Sequence, residues 1–257
     1  MCTAILDFDP DSTVPVLIAS LRDEFVDRAW KSPGRNWPGR FPGLVGGRDM
    51  EGGGTWLAVA PHQPRVACIL NAPGLQVDER SRRSRGFLPL RAAETGDIAG
   101  VPLDRFDPFH LVIAEPHSVR LLSWDGTGIA SRSLAPGLHT VVNRGLVDDS
   151  TLARPQTPRA EHFHPLFEKA NRPHPRSGEL AAQAWGEWMP LVDGDGLDIA
   201  SPSALVRRYL RNGRVRATTS SSLLALNARP QASSWLCRYD FSEEPGNPQA
   251  WQSMLAM

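Results

Sequence analysis

Cysteine is scarce: three occur in 257 residues, Cys2, Cys68 and Cys237. They are widely spaced and form no CxxC pair, which excludes a disulfide framework. Cys68, in Val66-Ala67-Cys68-Ile69-Leu70, and Cys237, in Trp235-Leu236-Cys237-Arg238-Tyr239, read as buried strand residues. Lysine is nearly missing, with only Lys31 and Lys169 among 28 basic residues. Together with 23 prolines and 22 glycines this reads as codon bias and carries no functional inference. A surplus of either charge is also absent. Basic residues balance 28 acidic ones, which argues against a generic nucleic-acid binder. Apolar runs such as 14–19 are far too short to span a bilayer, so no integral membrane segment is expected. The first residues hold Asp7, Asp9 and Asp11 and no basic or apolar leader pattern, so a cytoplasmic chain is the default expectation. The length suits one large domain or two small ones, and is read as a single domain over 1–257.

What is present is strand pattern. Segments 3–8 and 15–20 are short, apolar and separated by Asp9-Pro10-Asp11-Ser12, which predicts an opening hairpin. Segments 55–60 and 65–71 predict a second strand pair, 109–114 and 119–124 a third. Another strand is expected at 137–142, and a final pair at 220–226 and 234–241. Residues 29–54, dense in Pro, Gly and Trp, read as loop, and the arginine-rich 79–86 as solvated loop or helix start. Helical signals cover 161–170, 178–192 and 203–212, the last between Pro202-Ser203 and Asn212-Gly213. Strands, then helices, then strands again favour an α+β layered domain over βαβ units.

Chemistry concentrates at the start. Cysteine at position 2 is small enough for removal of Met1, which would leave an α-amine and a thiol on one residue. An α-amine titrates near ~7.7 and can take a proton from the adjacent nucleophile with no separate histidine. The strand that returns toward this point ends Leu21-Arg22-Asp23-Glu24-Phe25. Arg22 there favours a thiolate, and Asp23 holds or orients the amine; a plain charged strand end is the competing reading. Gly52-Gly53-Gly54-Thr55-Trp56 permits close backbone approach, as a pocket floor or as a tight strand entry. Asn71 and Asn143, at two strand ends, offer hydrogen-bond donors to a developing oxyanion, or merely start turns.

Met1-Cys2, Arg22-Asp23-Glu24, Gly46-Gly47-Arg48-Asp49 with Gly53-Gly54-Thr55-Trp56, and Asn71 together resemble the transport and Golgi organisation protein 2 family, also called NRDE proteins. Leu21 stands where that motif has Asn, and Thr219 where members commonly carry Arg. Ser84-Arg85-Gly86, Phe106-Asp107-Pro108-Phe109-His110-Leu111, Val142-Asn143 and Arg238-Tyr239-Asp240-Phe241 extend the resemblance. The family is in turn similar to cysteine N-terminal nucleophile hydrolases, which implies a four-layer αββα sandwich. It implies Cys2 as nucleophile, Arg22 and Asp23 beside it, and Asn71 and Asn143 around the oxyanion; Gly53, Gly54, Thr55 and Trp56, the pocket-floor segment, are read as the substrate-binding residues.

Two functions follow as expectations. One is an amidohydrolase acting on a non-peptide C–N bond of a small molecule, with no required cofactor and no metal. The other, implied by the resemblance, is a binding and transfer protein for haem or acyl-CoA. The seven histidines make no metal-ligand spacing. The Trp30 to Trp37 and Arg80 to Arg85 loops read as walls for an apolar, acidic ligand or as ordinary surface loops.

Overall fold

The computed structural model describes residues 2–147, 157–228 and 235–255. Chain contacts divide it into two compact units, one of 1–27, 136–142 and 146–257, the other of 28–135 and 143–145. Among the described residues each is built on one antiparallel sheet.

The first unit opens with β1 (Thr3–Phe8) and β2 (Val16–Phe25), paired so that Thr3 faces Leu21. Its other strands are β10 (Gly137–Val142), β11 (Gly145–Leu146), β12 (Arg208–Arg211), β13 (Arg214–Leu226), β14 (Cys237–Ser242) and β15 (Gln252–Ser253). The order is β11-β10-β1-β2-β13-β14-β15, with β12 also on β13. Three helices belong here: α2 (Pro158–Lys169), α3 (Ala181–Trp185) and α4 (Trp188–Val192). Alternation along β1 and β2 puts Ile5, Leu17, Ala19 and Leu21 on one face, where they pack with Phe163, Trp185, Trp188 and Leu223.

The second unit contains β3 (Trp30–Gly34), β4 (Val45–Asp49), β5 (Leu57–Ala60), β6 (Arg65–Asn71), β7 (Phe109–Glu115), β8 (Ser118–Trp124) and β9 (Ile129–Ser133), hydrogen-bonded in that order. Helix α1 (Phe87–Thr95) buries Leu88, Leu90, Ala92 and Ala93 on Ala58, Ala67, Leu111 and Ile113, and stops at Gly96, whose φ of 79° suits a glycine cap.

The expected hairpins form as read, but the expected four-layer αββα sandwich does not. The chain is 38% strand and 14% helix, two antiparallel sheets with few helices. Among the described residues, three of the four α-helices lie within 158–192, and two of these have only five residues. Segment 203–212 is not a helix: Arg208–Arg211 pairs with Ala217–Arg214 as a hairpin turning at Asn212-Gly213. Asn212 (φ 51°) and Gly213 (φ 73°) are both left-handed, the backbone of a tight two-residue turn. The supposed loop 29–54 holds β3 and β4. The first residue of the expected strand at 234–241 lies outside the described residues, and β14 begins at Cys237.

Candidate functional site

The register of β1 on β2 decides where Cys2 sits. With Thr3 opposite Leu21, the next pair outward is Cys2 and Arg22. Thr3, Leu21 and Asp23 face the helices, and Arg22 points to the other side of the sheet, the side of Cys2. The half-buried thiol of Cys2 lies 3.8 Å from the main-chain carbonyl oxygen of Asp23. It meets the backbone of Asp23, not the carboxylate.

That carboxylate is sealed on the opposite face. Asp23 and Arg159 are each about 1% exposed. Arg159 Nη2 donates to Asp23 Oδ2 at 2.9 Å, and the Thr218 hydroxyl donates to Oδ1 at 2.8 Å. Burial opposes ionisation of Asp23. The Arg159 guanidinium first, then the chain's α-ammonium group, then Thr218 outweigh it and hold the group below its ordinary value of 3.8. Arg159 is itself fixed by Nε donating to the Ala204 carbonyl and Nη1 to the Thr3 hydroxyl.

A second guanidinium reaches the carbonyl that Cys2 meets: Arg216 Nη2 donates to Asp23 O at 2.8 Å. Arg22, 5% exposed, donates from Nη1 to the Thr219 hydroxyl at 2.9 Å. Thr219 is the extra residue of a bulge, because β13 shifts register on β2 between Thr218 and Ser220. The bulge turns its hydroxyl toward Arg22, to whose carbonyl it also donates. Arg207 adds a fourth guanidinium. Burial, then repulsion from Arg159, lower its affinity for a proton. Arg22, Arg159, Arg207 and Arg216 thus gather around the end of β2 at Asp23 and Glu24, with Arg159 on the face opposite the thiol.

In the second unit the structure brings Asn71 and Asn143 together. Asn143 Nδ2 donates to the Asn71 carbonyl at 2.8 Å, and Asn143 Oδ1 is buried with no protein donor. The contacts of the glycine-rich segment are with its own scaffold. Gly53 (φ 70°) accepts from Trp37 Nε1, Thr55 donates its hydroxyl to Leu57 O, and Trp56 packs edge-on against Trp30 at 5.7 Å. A Cβ on Gly54 would lie 2.3 Å from the Gly86 carbonyl carbon. Close approach is therefore required at Gly54, in the service of strand entry. Beside this segment opens a cleft of about 500 Å³, lined by Arg40, Gly52, Arg83, Ser84, Phe87 and Arg91 among others.

Sequence reasoning missed Arg159, Thr218 and Arg207. Nothing local marks them: Arg159 is a solitary basic residue in the first turn of α2, and its partner lies 136 positions away. Among the described residues no group of three or more His, Cys, Asp or Glu is placed to hold a metal ion, and no helix is long and apolar enough to cross a membrane.

Residues 1–181 match the family model described as transport and Golgi organisation 2. No curated protein matches the chain. The match spans well over half of the sequence, and the chain belongs to this family.

Proposed function

We propose that Cys2, made the first residue by removal of Met1, is the nucleophile of an amidohydrolase that cleaves a non-peptide C–N bond in a small molecule. The sulfur attacks the amide carbonyl carbon, and its proton passes to the α-amine of the same residue. The C–N bond then breaks. The amine leaves with that proton, and a thioester stays on Cys2. Water attacks the thioester, releases the acid and restores the thiol. Arg22 and Arg216 supply positive charge next to the sulfur, where negative charge gathers during attack. Asp23, ionised and held by Arg159 and Thr218, keeps the end of β2 in place from the opposite face.

The observation that carries the reading is the shared carbonyl of Asp23. Cys2 Sγ and Arg216 Nη2 both converge on it, which sets a half-buried thiol and a guanidinium on one carbonyl. A cysteine kept only for packing needs no such company. The test joins intact mass with turnover of an amide library. Purified protein is expected to lack Met1, to hydrolyse at least one member, and to lose that activity in Cys2→Ala. Equal turnover by wild type and Cys2→Ala would sink the mechanism.

The alternative is a carrier for haem or acyl-CoA, which predicts saturable binding without turnover, indifferent to Cys2→Ala. Haem fits the described cleft poorly, because no histidine, cysteine or methionine lines it and an axial ligand is missing there. No step of the proposed reaction passes through a cofactor.

A further inference from the structure

The cleft of the second unit holds three arginines and no carboxylate. Arg40, Arg83 and Arg91 line it, with Gly52 and Ser84 between them and Phe87, Val101, Pro102 and Phe106 as apolar wall. Four other arginines of this unit provide a contrast. Arg28 pairs with Asp49 at 2.6 Å, Arg65 with Glu115 at 2.7 Å, Arg82 with Asp107 at 3.1 Å and Arg120 with Asp97 at 2.8 Å. The guanidiniums of Arg40, Arg83 and Arg91 bond no acceptor among the described residues. Three like charges around one concave, partly apolar space repel each other in a medium that screens less than water. Such an arrangement is relieved by an anion.

Arg40 is restrained at its guanidinium, and Arg83 and Arg91 at their backbones. The Arg40 guanidinium lies over the Phe87 ring, 4.7 Å from its centroid, and 5.5 Å from that of Phe41. This contact restrains the long side chain and lowers the entropy lost on binding. The Arg83 backbone donates to Arg105 O at 2.7 Å and forms a parallel bridge with Phe106. Arg91 rides on the second turn of α1, whose buried face is packed on the sheet. At the floor, Gly52 packs tightly on Ser84: a Cβ there would stand 2.6 Å from Ser84 Oγ.

We infer that this cleft binds a small organic dianion with an apolar arm, the head group on Arg40, Arg83 and Arg91 and the arm along Val101, Pro102 and Phe106. Planar guanidiniums pair equally with phosphate and with paired carboxylates, so the shared chemistry is two negative charges on one compact head. The volume suits a molecule of that size. The inference does not depend on the chemistry of Cys2 and stands if Cys2 proves inert.

Titration calorimetry on the full chain at low salt tests it, with phenyl phosphate, phenylsuccinate and benzyl alcohol as probes. Either dianion is expected to bind at about millimolar Kd or tighter, and benzyl alcohol not to bind. Whichever dianion binds more tightly identifies the head group. Affinity should fall roughly tenfold in Arg83→Gln and again in Arg91→Gln, and should weaken as salt rises. The salt series uses only wild-type protein, so a variant that folds badly does not decide the result. Saturation by neither dianion up to about 10 mM, or binding that ignores both salt and the arginine replacements, overturns the inference.

Discussion

Arg159 in the first unit and Arg83 in the second carry the same side chain to opposite ends. The guanidinium of Arg159 is about 1% exposed and spends its donors on Asp23, Thr3 and Ala204. Arg238 behaves likewise: it meets Asp240 at 2.5 Å, while Trp185 Nε1 donates to the same carboxylate at 2.6 Å. The cleft arginines of the second unit stand at a surface and bond no acceptor among the described residues, Arg40 lying over the Phe87 and Phe41 rings. In the first unit, then, arginine fixes geometry around a strand end. In the cleft of the second it leaves binding capacity open. Buried position and saturated donors mark the structural use; a shared cavity without carboxylates marks the other.

The largest effect expected from breaking this contrast is at Arg159. Arg159→Met takes the guanidinium away from the buried Asp23 carboxylate, at a cost of about 3 kcal/mol in unfolding free energy by urea titration. Restoring apolar balance with Asp23→Leu should recover part of the loss, so the double variant is more stable than the sum of the singles implies. Arg83→Gln, by contrast, should stay within about 0.5 kcal/mol of wild type. Equal destabilisation by the two single changes would erase the distinction.

How far the sequence foretold these roles depends on the range of the interaction. The hairpins β1–β2, β5–β6, β7–β8 and β13–β14 were legible because apolar alternation and Pro/Gly/Asn turns are written locally. The meeting of Cys2 with the Arg22-Asp23 strand end followed from the same hairpin register. Strands β3 and β4 escaped, because Trp30-Lys31-Ser32-Pro33-Gly34 and Val45-Gly46-Gly47-Arg48-Asp49 show no period of two. Segment 203–212 misled: the Ala204-Leu205 to Leu210 spacing favours a helix in isolation, and pairing with β13 overrides it. Arg159 and Thr218 were invisible since their value comes from Asp23, far away in the chain. The four-layer expectation rested on resemblance and not on residue pattern, and the sheet-dominated chain corrects it.

A middle-sized effect belongs to Gly54. Its missing Cβ lets the chain pass the Gly86 backbone, and Gly54→Ala would press a methyl carbon to 2.3 Å from the Gly86 carbonyl carbon. Neither backbone is the free end of a side chain, so the strand entry must shift. About 1–3 kcal/mol of destabilisation is expected, read as a lower urea midpoint, with the Asp23–Arg159 unit's acid response unchanged. A neutral result would mean that the approach is loose.

The smallest effect, and the most selective, is in pH. His110 is buried in the second unit, with Nδ1 2.8 Å from the Ser123 hydroxyl. Burial lowers its proton affinity below the ordinary value of 6.5, partly opposed by a hydrogen bond with the Asn143 backbone. The unfolded chain therefore binds a proton more readily than the folded one. The stabilisation by neutral His110 is complete above pH 6.5 and is lost as pH falls through the lower, folded-state value. Asp23, also depressed, contributes above its ordinary 3.8 and fails only as pH drops further. Acid should thus erode the second unit's histidine contribution first and the first unit's ion pair later. His164, on α2, is shifted in the same direction by burial, so wild type alone blurs the order. His110→Gln retains a hydrogen-bonding side chain that does not titrate. It should flatten the decline in stability between about pH 7 and pH 5 while leaving the steeper fall below about pH 4 intact, whereas Asp23→Asn should do the reverse. Urea midpoints measured across that range separate the two, and a wild-type slope surviving in His110→Gln would place the near-neutral sensitivity on His164 and so in the first unit.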